Sequence, residues 1–544
     1  MLRITGGKIF DPANRIDGEV RDLCIADGKF VASAEGARTL DATGMIVFPG
    51  GVDVHTHVAG GAINFARAMT PEDHRRAQAF IRTKTRRSGL GGMAPTTFAT
   101  GYLYAGMGWT TVNEAAVPPL SARHTHEEMH DIPIVDKSSC VLMANNEILL
   151  DLLEKGEYEQ AKNVVAWYLR AAKAYGVKAV NPGGVAAWKW GRDAKQMTSP
   201  IEGYSQLTPG TLVNRLARIC DDLGLPHPMH LHCNNLGVPG NIRTTLDTLK
   251  HLEGCRAHIA HSQYHAYGGG GWDEMRSESS QLADYFNSHP NLTTDAGAVL
   301  FGDTVTISAD GPWQHLLYQL TGHKWGNLDV ENETGCGIVP YTYRPSNLVN
   351  AVQWAVGLEL LLLIKNPWQV FMSTDHPNGG CFWRYPEIIQ LLMCADFRRE
   401  CMRKLPAKIK HRITLPELDR EYTLYEIATM MSAAPARALG LFRKGNLGIG
   451  SDADVAIYEE DEDVTRMFSQ PRYVIKSGQV VIEDGDIRGT PQGRVFMVQP
   501  FCEPGTEDFI RPLFEDYYTM SFDNYPVAME GVQDADIFAC KPTP

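Results

Sequence analysis

The residues best equipped for chemistry in this sequence lie where short apolar runs end. Phe48-Pro-Gly-Gly-Val-Asp-Val-His55-Thr-His57 closes on two histidines. Side chains alternate along a strand, so residues two apart face the same way and both imidazoles can reach one metal ion. Tyr175-Gly-Val-Lys178-Ala-Val-Asn-Pro-Gly-Gly sets a lysine inside a second apolar run. A charged ammonium there is costly, so the site must lower its pKa or pair it. A neutral amine can take up carbon dioxide and become a carbamate, a carboxylate able to bridge two cations. Met229-His230-Leu-His232-Cys-Asn234-Asn235-Leu-Gly and His258-Ile-Ala-His261-Ser-Gln-Tyr-His265 each open from an apolar run into a polar loop, and Val370-Phe-Met-Ser-Thr-Asp375-His-Pro ends on a carboxylate. Singly, each has a plain structural explanation: a core histidine, a strand-end salt bridge, a turn aspartate. The ordered set of His-x-His, Lys, His, His and Asp, all at expected strand ends, is far less easily produced by chance.

Positioning these groups requires a scaffold of strands and helices. Short strands are expected at Leu2-Arg-Ile, Gly7-Lys-Ile-Phe, Leu23-Cys-Ile-Ala, Lys29-Phe-Val-Ala and Met45-Ile-Val-Phe, separated by turn signals such as Asp27-Gly28 and Thr43-Gly44. A similar β stretch near the other end, Asp454-Val-Ala-Ile-Tyr to Gln479-Val-Val-Ile-Glu-Asp-Gly, suggests one module built from both ends. Between them, helices expected at Thr70–Ser88, Tyr158–Tyr175, Thr211–Leu223 and Asn347–Lys365 alternate with the apolar runs. That is the pattern of a parallel α/β barrel or a doubly wound sheet, and in a barrel the chemistry sits at the C-terminal ends of the strands.

Composition narrows the classes. With 544 residues, 44% hydrophobic and 21% charged, the chain has ample material for a core. A net charge of −13 without a Lys/Arg block offers no electrostatic footprint for nucleic acid. Eleven cysteines with no CxxC pair argue against a disulfide framework or cluster site and for reduced thiols in the cytoplasm. No run has the length of a signal peptide core or a membrane span, so the protein is expected to be soluble. Nicotinamide fingerprints, Walker loops and molybdopterin or cluster ligands are absent from the sequence, and the run Gly268–Gly271 is not followed by the Gly-Lys-Ser/Thr of a phosphate cradle. After residue 500, nine Asp/Glu stand against Arg511 and Lys541, with eight Phe/Tyr interleaved. This is too apolar for a solvated tail.

Over nearly its whole length the sequence resembles the metal-dependent amidohydrolase superfamily. The resemblance implies a (β/α)8 TIM-type barrel at residues 50–439, a small β-sandwich module from residues 1–49 and 440–500, and an extension at 501–544 packed on the barrel or a partner. It places metal ligands at His55, His57, Lys178, His230, His261 and Asp375, and the catalytic proton transfer at Asp375. His232 and His258 are the alternates to His230 and His261, which are preferred. Two divalent cations are implied, most readily Zn²⁺, with carbon dioxide-derived carbamate on Lys178; Mn²⁺, Fe²⁺ or Ni²⁺ suit the same ligands.

Val177-Lys-Ala-Val-Asn-Pro-Gly-Gly, His230-Leu-His-Cys-Asn-Asn-Leu-Gly-Val-Pro-Gly-Asn and His261-Ser-Gln-Tyr-His-Ala-Tyr-Gly further resemble the A components of formylmethanofuran dehydrogenases and bacterial formyltransferase/hydrolase complexes. This implies hydrolysis of an N-formylated methanofuran-type coenzyme to formate and the free amine, or the reverse condensation as in the archaeal complexes. It also implies a hetero-oligomer with a formyltransferase and other subunits. Substrate contacts are expected from Asn234, Asn235, His232 and His265, and Trp188-Lys-Trp offers stacking for a furan. A stand-alone cyclic amidohydrolase resembling dihydropyrimidinase is the alternative, and a metal-free scaffold a third.

Overall fold

The computed structural model describes residues 1–70, 93–189, 196–328 and 336–541. Among these residues eight parallel strands follow one another: Gly51–Thr56, Trp109–Val117, Asp136–Leu142, Gly176–Val180, Met229–His232, Ala257–Ile259, Leu292–Asp295 and Val370–Phe371. They are referred to below as barrel strands one to eight. Each pairs in parallel with the next, and a bridge from Thr56 to His376 returns the end of strand eight to strand one. The chain is a (β/α)8 barrel, not a doubly wound sheet.

Helices return the chain between strands at Tyr158–Ala171, Pro209–Asp222 and Leu348–Leu363, close to the expected spans. Thr208 and Asn347 cap the last two by accepting from the backbone N–H of Thr211 and Asn350, which satisfies donors a helix start leaves open. The expected helix at Thr70–Ser88 lies, beyond Thr70, outside the described residues.

Both chain ends supply the β module. Its nine-stranded sheet joins Leu2–Asp11 and Ile46–Pro49 from the start to Val455–Tyr458 and Tyr473–Lys476 from the end, the two blocks meeting where Ile46–Pro49 pairs with Val455–Tyr458. The expected sandwich is thus hydrogen-bonded as one continuous sheet, with its own core around Ile4, Ile9, Val47, Val455 and Ile475.

The structure divides the C-terminal region differently from the boundary expected at residue 500. Val495–Val498 pairs with barrel strand three, and Ala535–Phe538 adds beside it, so the extension begins as part of the barrel's own sheet. Its helix, Thr506–Tyr517, buries Ile510 and Phe514. Phe522 and Tyr525 stack on Trp167 of the barrel helix Tyr158–Ala171, with ring centroids 5.1 and 6.0 Å away. The acidic, aromatic segment therefore buries part of its aromatic surface against the barrel, while Phe501, Phe509 and Tyr517 stay exposed. Gly268–Gly271 leads into the turn of a small hairpin, Tyr267–Gly268 with Arg276–Ser277.

One further element was not expected. Between strands seven and eight, Gly302–Ser308, Gly326–Leu328 and Cys336–Tyr343 form an antiparallel sheet beside the helix Gly311–Thr321. It rises over the C-terminal ends of the barrel strands and walls the cavity described next.

Candidate metal centre

Strand one buries Val52 and Val54 in the apolar shell, and His55 near its end lines the cavity. Tyr104 and Tyr385 donate to the Asp53 carboxylate at 2.7 and 2.6 Å, which anchors the strand below the site. At the rim the backbone bends sharply: Asn181, Asn235, His261 and Asp375 all adopt positive φ, 42°, 59°, 34° and 51°. Such conformations are costly for residues other than Gly, Asn and Asp, and they aim side chains that a straight strand would not. Gly297 permits one of these bends, because a Cβ there would lie 2.3 Å from the Cβ of His261.

His55, His57, Lys178, His232, His261 and Asp375 converge on a cavity of about 340 Å³. The donor atoms of His55, His57 and Asp375 lie within 4.8 Å of one another, with Asp375 Oδ1 at 3.1 Å from His55 Nε2 and 3.2 Å from His57 Nε2. His261 Nε2 stands 4.0 Å from Asp375 Oδ2. Burial opposes ionisation of Asp375, but the charges of His55 and His261 outweigh it and hold the carboxyl well below its usual range. Lys178 is 1% exposed, and its Nζ is buried with no hydrogen-bond partner. Burial is also what brings its amine down to about 8.

Of the two histidines on strand five, His232 lines the cavity and His230, the one expected as a ligand, does not. Both face inward, but along strand five two residues span about 6.6 Å. His232 is in register with Val180, and both line the cavity. His230 is in register with Lys178 and His258, one layer deeper. The lysine's long stem carries its amine up from that layer to the cavity, whereas the shorter imidazoles of His230 and His258 stay below it. On strand six, His261 lines the cavity and His258 does not.

Three of the expected substrate contacts also sit elsewhere. Asn234 donates to the carbonyl of Pro182 at 3.0 Å, tying together the loops after strands four and five. Asn235, in its left-handed turn, donates to Thr244 at 2.9 Å and lines a neighbouring cavity. His265 is fully buried beside His232 and His261. None of the three lines the main cavity. Trp188 packs near His315; Trp190 and the side chain of Lys189 lie outside the described residues.

Three carboxylates not singled out in the sequence orient the imidazoles. Glu114 of strand two accepts from Nδ1 of His57 at 2.8 Å and from the backbone of Val58 and Ala59. Against the effect of burial, Glu114 and Asp375 push the His57 pKa up to about 9. Asp295, ending strand seven, holds His55 Nδ1 at 3.0 Å, His258 Nε2 at 3.1 Å and the backbone N–H of His261 at 3.0 Å. Asp310 holds His232 Nε2 at 3.1 Å while capping the helix Gly311–Thr321. Such partners fix imidazole tautomers at metal sites. The available sequence signal was a carboxylate closing a short stretch rich in β-branched residues, as in Trp109-Thr-Thr-Val-Asn-Glu114 and Leu292-Thr-Thr-Asp295.

Converging imidazole and carboxylate donors in a buried cavity, beside an unpartnered buried amine, fit divalent metal ions. The amidohydrolase family profile matches residues 38–482. The chain belongs to the amidohydrolase family. It is a metal-dependent hydrolase by fold and family. Two relatives match along nearly the whole of this amidohydrolase. It is 41% identical to protein FwdA of Methanocaldococcus jannaschii, over 97% of this chain and 96% of that protein. It is 38% identical to the A component of the formyltransferase/hydrolase complex Fhc of Methylorubrum extorquens, again over 97% and 96%. The crystal structure of the Methylorubrum extorquens FhcABCD complex with methylofuran contains a chain that superposes with a TM-score of 0.93 at 37% identity, covering 99% of this chain and all of that one. Among the described residues, no helix is long and apolar enough to cross a membrane.

Proposed function

We propose that this chain is the hydrolase component of a formyltransferase/hydrolase-type complex and cleaves an N-formylated methanofuran-type coenzyme to formate and the free amine. The observation that carries the reading is the end-to-end similarity to the A component of such a complex. Running in reverse, the same site would condense formate with the amine; supply and removal of formate set the direction.

His55, His57, Lys178 as its carbamate, His232, His261 and Asp375 would hold two divalent cations. When bound, the cations supply a nucleophilic water at neutral pH and polarise the formyl oxygen. The protein does the rest. Asp375, ionised on the cavity floor, accepts the proton of the attacking water and returns it to the departing amine nitrogen. Tyr264, Trp272, Trp313, Tyr341 and Tyr343 give the cavity aromatic walls that suit a planar furan and exclude water from the amide.

Native purification tests the reading. The chain is expected to copurify with a formyltransferase and to release formate from N-formylmethanofuran but not to open dihydrouracil. A lone monomer that opens dihydrouracil would replace this reading with the cyclic-amide one.

Carbamate formation has its own pH signature. Uptake of carbon dioxide needs the neutral amine, and burial places the Lys178 midpoint at about 8 in place of the ordinary 10.5. Below that midpoint the neutral fraction falls about tenfold per pH unit. Reconstitution of metal-free enzyme with Zn²⁺ at fixed dissolved carbon dioxide should therefore accelerate up to about pH 8 and level off above it. A rate that ignores carbon dioxide would remove Lys178 from the ligand set.

A further inference from the structure

Beneath the cavity a row of histidines runs down the barrel interior, and the mechanism above leaves it unused. It starts at the carbonyl of Ala438, where the chain leaves its last barrel helix, Ala434–Ala438, for the β module. His227 Nδ1 is 2.8 Å from that oxygen. His227 Nε2 is 3.1 Å from His230 Nδ1, and His230 Nε2 is 3.2 Å from His55 Nδ1. All three rings are buried, with exposures of 0–1%.

A carbonyl only accepts, so His227 must carry its proton on Nδ1 and present a lone pair at Nε2. His230 then donates from Nδ1 and keeps its lone pair on Nε2. Facing that lone pair, His55 must carry its proton on Nδ1, which it shares with the Asp295 carboxylate 3.0 Å away. That leaves the lone pair of His55 on Nε2, the atom facing Asp375. The opposite tautomer of His230 would aim an N–H at the N–H of His55. The Asp295 carboxylate acts on His230 through His55 and the Ala438 carbonyl acts on it through His227, so the two ends of the row exclude the same tautomer of His230.

The geometry points to His227 and His230 as positioning residues, a tautomer relay that fixes His55 with its metal-binding lone pair turned to the cavity. The inference rests on the reading of His55 as a metal ligand. It gives His230 a role despite its depth, and it links the site to the junction between barrel and β module. Two sets that include His230 also lie close enough to hold a cation, Cys140–His227–His230 and His55–His230–Asp295, but His230 already meets His227 and His55 across 3.1 and 3.2 Å. A metal in the first set would need the lone pair of His230 Nδ1 and one in the second that of His55 Nδ1, and the relay places a proton on both.

Zinc competition with a chromophoric chelator on the full-length zinc enzyme tests the relay, with His55→Ala as the control for the underlying reading. Wild type should hold its zinc and His55→Ala should lose most of it; if His55→Ala keeps wild-type zinc, the metal-ligand reading fails first. Given that control, His227→Phe is expected to weaken zinc retention about tenfold, at the lower end of what outer partners of metal-bound histidines contribute. His227→Gln, whose amide can donate to Ala438 and accept from His230, should restore most of it. Equal retention in wild type and a folded His227→Phe would overturn the relay, as would loss of a metal equivalent on Cys140→Ser. Should His227→Phe fail to fold, ¹⁵N-histidine spectra of the wild-type zinc enzyme decide: protons on Nδ1 of His55 and His230 support the relay, and a proton on Nε2 of His230 overturns it.

Discussion

Replacing Asp375 by asparagine is expected to leave the fold and most of the bound metal in place while lowering turnover by at least about a hundredfold, the scale of a lost, positioned proton acceptor. The substitution isolates that function. Asparagine has the shape of aspartate and keeps an oxygen near His55 and His57, which stand 3.1 and 3.2 Å from Asp375 Oδ1. It also tolerates the φ of 51° at this position, where alanine would add backbone strain. What it cannot do is take a proton from water and return it to the amine. Turnover on the formylated coenzyme, read together with metal content, checks the prediction. Near wild-type turnover with full metal would transfer the proton role to another cavity residue.

Lys444→Met is expected to cost about 3–5 kcal/mol of stability, the usual consequence of leaving buried carboxylates short of a partner. Lys444 Nζ is ion-paired with Asp136, lies 2.7 Å from Asp454 and 3.2 Å from Asp452, and is only 2% exposed. Lys476 bonds the same Asp136 and Asp454 at 2.6 and 2.8 Å, and Arg494 pairs with Asp452 and Asp536. The cluster joins the start of barrel strand three, the β module and the C-terminal strands. Burial works against Asp136, yet Lys444, Lys476 and Arg494 hold its carboxyl far below the ordinary 3.8. Its contribution is therefore complete above that pH and is lost as pH falls below it. Urea unfolding at neutral pH, followed by separate probes on the barrel and the module, should show the module and C-terminal strands releasing first in the variant. An unchanged midpoint would mean that the remaining cations suffice.

Much of the architecture was legible because it rests on local patterns. Alternating apolar runs ending in polar loops gave the strands, and the order of His-x-His, Lys, His, His and Asp gave the elements that meet at the centre. The β stretches at both ends announced a shared module, since two segments of the same kind bracket the long α/β middle. The insertion between strands seven and eight escaped notice because its strands resemble those of the barrel in sequence, and only their antiparallel pairing sets them apart.

By itself the sequence determined the alternation of strands and helices, the shared face of residues two apart and the chemical character of the site, which follow from residue type and periodicity, while the barrel rather than a doubly wound sheet was implied by the family resemblance. Depth was beyond it. His230 and His232 share a face, as the period requires, and choosing between them needs the register of strand five against strand four, a relation between segments some fifty residues apart. The partners of the imidazoles needed the closed barrel as well: Glu114, Asp295 and Asp310 reach His57, His55 and His232 from other strands or the inserted helix. A periodic pattern fixes which way a side chain points, and only the stagger of neighbouring strands fixes how far along the barrel axis it stands and what it meets there.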